Sequence, residues 1–197
     1  PSKDLMEVII HDGSWNQRRG EFDLANSFND KSVAIRVTGA VERADSYRDQ
    51  QLLEREALAP SVAIKLGDDT RLLIQGEYLS DRRVTDFGIP AYRGRPVDVA
   101  PGTYYGAANA RDVDYSQANV SAFGFTLDHR FNDEWSVRNA FRAYDYSLDR
   151  NNTLVGSVNE VARTVSLNRS NVQRQEDGYF NQTELTQKAT LAGMQHQ

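Results

Sequence analysis

Apolar residues recur in this chain at every second position and almost never in blocks. From Ser32 to Glu42, Val33, Ile35, Val37, Gly39 and Val41 share one face, while Ala34, Arg36, Thr38, Ala40 and Glu42 share the other. Period two is the spacing of a β-strand with one apolar side, because successive side chains of an extended backbone point in opposite directions. The pattern returns at Met6, Val8 and Ile10; at Phe22 and Leu24; at Leu58, Pro60, Val62 and Ile64; at Leu72, Ile74, Gly76 and Tyr78; and at Phe123, Phe125 and Leu127. Together these runs predict an all-β antiparallel up-and-down meander of about eight strands. They lie near 5–14, 17–28, 32–46, 56–66, 71–80, 116–131, 135–147 and 161–188. No segment shows a helix with proper caps; Gln50 to Leu58 reads as a loop leading into a strand.

No run of hydrophobic residues exceeds three, so no segment approaches the roughly 18 apolar residues of a transmembrane helix. That leaves a strand-built membrane protein open. The lengths of the connections favour one. Asn29-Asp30, Gly67 to Thr70, and Asn132 to Glu134 are tight turns, whereas 46–55, 81–115 and 148–160 are longer. Short turns at one end and long loops at the other mark outer-membrane barrels. Strands of about 10–15 residues exceed the usual five or six of a soluble sheet and match a tilted bilayer crossing. The polar faces mix signs closely (Arg36 and Glu42, Lys65, Glu77, Arg138 and Arg142), as suits a hydrated lumen. Trp15, Tyr47, Tyr78, Phe131, Trp135, Tyr144 and Tyr146 fall near inferred strand ends, as in an interfacial girdle. Alternation alone looks the same from inside and outside. A soluble β-sandwich binding module and a complete small eight-stranded barrel with a structural or adhesion role therefore remain alternatives.

Composition removes several other functions. With 23 Lys and Arg against 28 Asp and Glu the net charge is −5, and no basic cluster suggests a nucleic-acid partner. There is no Cys, so thiolate metal sites and cysteine nucleophiles are excluded. His11, His129 and His196 lie in separate segments without ligand spacing, and no cofactor is expected. Asp68-Asp69 and Asp133-Glu134 sit in turns, where Asp serves the local geometry. No nucleophile elbow, phosphate loop or HExxH is present, and no enzyme is expected. The longest connection, Asp81 to Tyr115, is the candidate binding segment, because loops beyond about 12–15 residues tend to be functional or disordered. It carries Phe87, Tyr92, Arg93, Arg95, Tyr104, Tyr105 and Arg111; Arg142 and Tyr144 are added as charged-face residues near the outer end of their strand.

Three stretches resemble the TonB-dependent outer-membrane receptors for ferric siderophores. Gly13-Ser14-Trp15-Asn16 with Arg19 to Asp23 is similar to the first hairpin of their barrels. Gly76 to Arg83, Gly88-Ile89-Pro90-Ala91 and Gly94-Arg95-Pro96-Val97-Asp98 resemble a strand end and its long external loop. His129 to Trp135, followed by Arg138-Asn139-Ala140, resembles a periplasmic turn and the next strand. The resemblance implies a 22-stranded barrel around an N-terminal plug, in the outer membrane of a Gram-negative bacterium. It also implies outer-membrane lipid around the wall, a TonB partner that drives import, and iron present only within the ferric siderophore. Against that plan the sequence covers about eight strands, with no segment resembling the plug. Residues 1–197 are thus expected to be the first third of a barrel domain, unable to transport alone, with sheet edges able to pair with another copy. An anionic or aromatic ferric chelate would suit the Arg and Tyr residues of the 81–115 segment.

Overall fold

A computed structural model describes residues 4–191 and 194–196. In chain order the elements are β1 (Leu5–Asp12), β2 (Arg18–Phe28), β3 (Val33–Ala44), β4 (Leu53–Lys65), β5 (Thr70–Arg83), β6 (Ala91–Tyr92), β7 (Arg95–Pro96), α1 (Ala110–Val113), β8 (Ser116–Arg130), β9 (Trp135–Asn159), β10 (Thr164–Gln187), β11 (Ala189–Leu191) and β12 (Met194–His196). The main sheet has eight strands in the order β1-β2-β3-β4-β5-β8-β9-β10, each antiparallel to its neighbours. This is the expected meander. β1 and β10 stand at opposite edges of an open sheet, which overturns the alternative of a complete eight-stranded barrel.

Cross-strand register sorts the side chains onto two faces. On one, Phe22 faces Gly39, Val37 faces Pro60, Val62 faces Ile74, and Ile74 faces Phe125. On the other, Arg19 faces Glu42, Glu42 faces Arg55, and Arg55 faces Asp81. The first face carries nothing above it. Met6, Val8 and Ile10 are 82%, 62% and 80% exposed, and Val41, Leu58 and Phe123 are exposed with them. A soluble sandwich would cover that face with a second sheet, so the sandwich alternative finds no support in the fold. The accessible surface tells the same story: 13466 Å², against about 9,400 Å² for a compact globule of this mass.

The charged face is held by ion pairs between strands, three of them across adjacent strands and one, Arg142 to Glu77, reaching from β9 over β8 to β5. Arg36 meets Asp23 at 2.6 Å, Arg19 meets Glu42 at 2.8 Å, Arg55 meets Asp81 at 2.7 Å, and Arg142 meets Glu77 at 2.6 Å. Each exposed pair contributes at most about 1 kcal/mol. Their collective effect is to satisfy charges that alternation forces onto one side of the wall.

The tight turns form where expected. Asn29 and Asp30 both adopt positive φ (49° and 52°), a conformation Asn and Asp tolerate better than other side chains. Asn132 Oδ1 accepts the Glu134 and Trp135 amides, both at 2.9 Å. Three expectations need correction. The 148–160 stretch is not a loop: β9 continues to Asn159 and pairs with β10 as a ribbon rising past the end of β8. One helical turn, α1, does occur inside the 81–115 segment. Tyr144 and Tyr146 are not girdle residues, since both lie on the charged face partway along β9, opposite Ala122 and Val120. Trp15 and Tyr47 do meet at the long-loop end, edge to face at 6.2 Å, and Phe131 lies in the turn at the opposite end.

Candidate ligand-contact site

Three arginines fasten the segment between β5 and β8 over the long-loop end of the sheet. Arg48 bridges Asp86 at 2.6 Å and donates to the Thr103 carbonyl at 3.1 Å. Arg111 donates to Asp45 Oδ1 at 2.8 Å and to the Gln51 carbonyl at 3.0 Å. Arg169, on the risen part of β10, pairs with Asp114 and donates to the Val113 carbonyl at 3.2 Å. Asp114 is fully buried and also accepts the Ala107 amide at 3.0 Å. Beneath these contacts Leu52, Val84 and Ala110 form a small apolar core with Tyr104 packed against it.

Two of the expected contact residues therefore serve the fold of the segment. Arg111 is spent on Asp45 and Gln51. Tyr104 donates its hydroxyl to the Thr85 carbonyl at 3.3 Å, and burial, then the charges of Asp114 and Asp86, push its phenol up to about 12. The ordinary tyrosine value is about 10, so this raised group adds stability below that pH and loses it as the pH climbs towards 12. Spectrophotometric titration is expected to show a tyrosinate step near 12 that Tyr104→Phe removes. A titration curve unchanged by that substitution would refute the assignment. Asp45 is shifted the other way: the Asn16 amide and then Arg111 hold its carboxyl below the usual range. Its contribution is present above about pH 4 and lost on acidification.

Four of the remaining expected residues, Phe87, Tyr92, Arg93 and Arg95, lie on the outward stretch of the segment. Gly88 takes φ 81° and donates its amide to Asp86 Oδ1 at 2.8 Å, turning the chain out at the exposed Phe87. β6 and β7 then pair across Arg93-Gly94, whose φ values of 48° and 78° are those of a type I′ hairpin turn. Arg93 lies over the Tyr92 ring at 5.2 Å, and Arg95 is exposed on the same hairpin. Tyr105 is half-buried beside Tyr104. Arg142 and Tyr144 sit lower on the wall than expected, because β9 runs on to Asn159; Arg142 is engaged by Glu77, and Tyr144 lies across Gly178 of β10. The structure thus gathers Phe87, Tyr92, Arg93 and Arg95 on one projecting unit and separates Arg142 and Tyr144 from it. The anchors Arg48, Asp114 and Arg169 escape sequence reasoning, since nothing local to them encodes partners dozens of residues away.

No group of His, Asp or Glu among the described residues could hold a metal ion. His129 Nδ1 is bonded to Thr70 Oγ1 at 2.8 Å, His11 stands 3.7 Å from Glu21, and the side chain of His196 lies outside the described residues.

No protein-family model matches the chain. It is 30% identical over 127 residues to the metal-pseudopaline receptor CntO of Pseudomonas aeruginosa, covering 64% of this chain and 18% of that protein. It is 30% identical over 161 residues to the ferrioxamine B receptor of Salmonella typhimurium, covering 79% of this chain and 23% of that protein. The chain therefore spans about a fifth of the length of these curated relatives. Among solved structures, the siderophore receptor PiuA from Acinetobacter baumannii superposes with a TM-score of 0.85 at 23% identity, over 96% of this chain and 28% of its own. The ferripyoverdine receptor of Pseudomonas aeruginosa gives 0.85 at 15% identity, over 98% and 26%. In fold the chain matches a stretch of wall from the β-barrels of solved siderophore receptors, and in sequence it is similar to curated siderophore and metal receptors.

Proposed function

We propose that the chain forms part of the wall of an outer-membrane receptor that binds a ferric siderophore and imports it with TonB-transduced energy. The apolar face meets lipid, the charged face lines the lumen, and the long-loop end faces the outside of the cell. The observation that carries this reading is the 30% identity to a ferrioxamine B receptor over 79% of the chain. The projecting hairpin supports it further: Tyr92 and Arg93 are already stacked, Arg95 is exposed on the same hairpin, and Phe87 is exposed at the bend that leads into it, a surface suited to an anionic or aromatic chelate. In this reading the plug and the TonB contact belong to other parts of the same receptor.

The test is uptake of radioactive iron, supplied as a panel of ferric chelates, by a Gram-negative host expressing this wall within its complete barrel. At least one chelate should enter in an energy-dependent manner. Replacing both Arg93 and Arg95 by Gln should lower that uptake by about tenfold or more, the worth of one charge-assisted hydrogen bond. Absence of uptake for every chelate, or uptake indifferent to both arginines, would count against the proposal.

A further inference from the structure

The apolar face ends abruptly, and the residues where it ends are charged. Register places Asp12, Arg18, Arg43, Glu54, Arg82 and Gln117 on a single rung across the long-loop end of that face. Arg18 of β2 and Arg43 of β3 stand directly opposite one another. Such a like-charge pair is destabilising in a sheet, because the facing Cβ atoms are only about 5 Å apart. The surrounding carboxylates relieve it only on one side. Glu54 bridges Arg43 at 3.2 Å but is shared with Arg82 at 3.4 Å. Asp12, the neighbour of Arg18 in β1, forms no ion pair with it, and Arg18 has no carboxylate partner among the described residues. Arg82 is turned away, donating to the Arg111 carbonyl at 2.7 Å and lying over the Tyr115 ring.

Immediately below the two arginines the wall is grooved. Val8, Ile10, Phe22, Val41, Leu58 and Tyr78 line a depression of about 660 Å³, deepened where Gly20 lacks a side chain; of the two carboxylates in its lining, Glu56 belongs to this face and Glu21, by register, to the charged one. The apolar stretch from Val33 to Val41 on β3 covers eight residue steps, about 27 Å along the strand. Tilted as barrel strands are, it rises about 20 Å, close to the roughly 25 Å apolar band of a barrel wall. Arg43 is the next outward-facing residue, at the level of the lipid head groups.

We propose that Arg18 and Arg43 together bind the phosphate of an anionic lipid whose acyl chains lie in the groove beneath. A phosphate between the two guanidiniums turns their repulsion into two charge-assisted contacts, and Arg presents the planar fork that matches phosphate oxygens. The site faces away from the lumen and from the siderophore-contacting hairpin, so it goes beyond the import reading. It does rest on the apolar face meeting lipid.

The experiment holds the complete barrel containing this wall in maltoside micelles doped with phosphatidic acid, or with phosphatidylcholine as the uncharged control, and measures lipid retained on the protein. Phosphatidic acid should bind at least tenfold more tightly than phosphatidylcholine, and Arg18→Gln with Arg43→Gln should abolish that preference. Arg18→Lys with Arg43→Lys should keep more of it than the Gln pair, and Arg71→Gln should keep all of it, since register pairs Arg71 with Lys65 and Asp128 on the charged face. Equal retention of both lipids, no effect of the Gln pair with the strand circular dichroism unchanged, or displacement of the lipid by excess inorganic phosphate would each overturn the inference. Its failure is distinguishable from failure of the membrane reading, which would appear as a chain that stays monomeric in water without detergent.

Discussion

Arg169→Ala is expected to release the 84–115 segment while leaving the eight-stranded sheet intact. Asp114 has no access to solvent, and among the described residues Arg169 is the one charged group that forms an ion pair with it. Removing the guanidinium leaves a buried carboxylate supported only by the Ala107 amide and the helical turn around it. Breaking a buried pair from one side costs about 3–5 kcal/mol; because the Arg169 side chain is itself half-exposed, about 2 kcal/mol is the better expectation. At 1.4 kcal/mol per decade that is about a thirtyfold rise in local opening. Hydrogen exchange should show it in amides of 103–115 and not in β3 or β4. Arg174→Ala removes the Arg174–Glu176 pair from the exposed part of β10 and should change exchange by less than a factor of about five. If Arg169→Ala left exchange in 103–115 unaltered, the clamp would have no energetic role.

A larger effect is expected from one charge on the apolar face. Val37 and Thr38 are neighbours at the middle of β3, and register puts Val37 against Leu24 and Pro60 on one side of the wall and Thr38 against Asp23 and Ala59 on the other. Val37→Arg would set a guanidinium against acyl chains near the bilayer centre, at a cost of about 2–4 kcal/mol. Thr38→Arg would add one more cation to a face that already holds Arg36 and Asp23 as a pair, and should cost less than about 1 kcal/mol. Folding yield in phosphatidylcholine bilayers is the measure. The account requires Val37→Arg to fold poorly and Thr38→Arg to fold like the parent; equal yields would contradict it.

These two results also divide what could be read from the sequence from what could not. The wall was legible because its cause is local and repeated. A two-residue period that survives from Met6 to Leu127 leaves the backbone few alternatives, and Gly, Asn and Asp mark the turns that reverse it. The sequence falls silent where neither face is apolar. From Ser147 to Asn159 the residues are mostly polar and resemble a loop, yet they form a ribbon whose cross-strand contacts are themselves polar: Asn171 donates to Asn151 at 2.5 Å, and Ser157 meets Ser166 at 3.1 Å. The segment over the long-loop end was legible in part. Its length, its Gly and Pro residues and its aromatic and cationic content single it out. The division of labour within it depends on distant partners. Nothing near Arg111 foretells Asp45, and nothing near Tyr104 foretells the pocket formed by Leu52, Val84 and Ala110.

The central claim is that the uncovered apolar side of the sheet faces lipid. The chain contains no cysteine, so single cysteines can be placed at each position from Val33 to Arg43 and labelled without competition. In bilayers, a spin label at 33, 35, 37, 39 and 41 should relax with lipid-dissolved oxygen. At 34, 36, 38, 40 and 42 it should relax with a water-soluble nickel complex, giving two period-two curves in antiphase. Curves in phase, or an apolar-side series accessible to nickel along its whole length, would contradict the account.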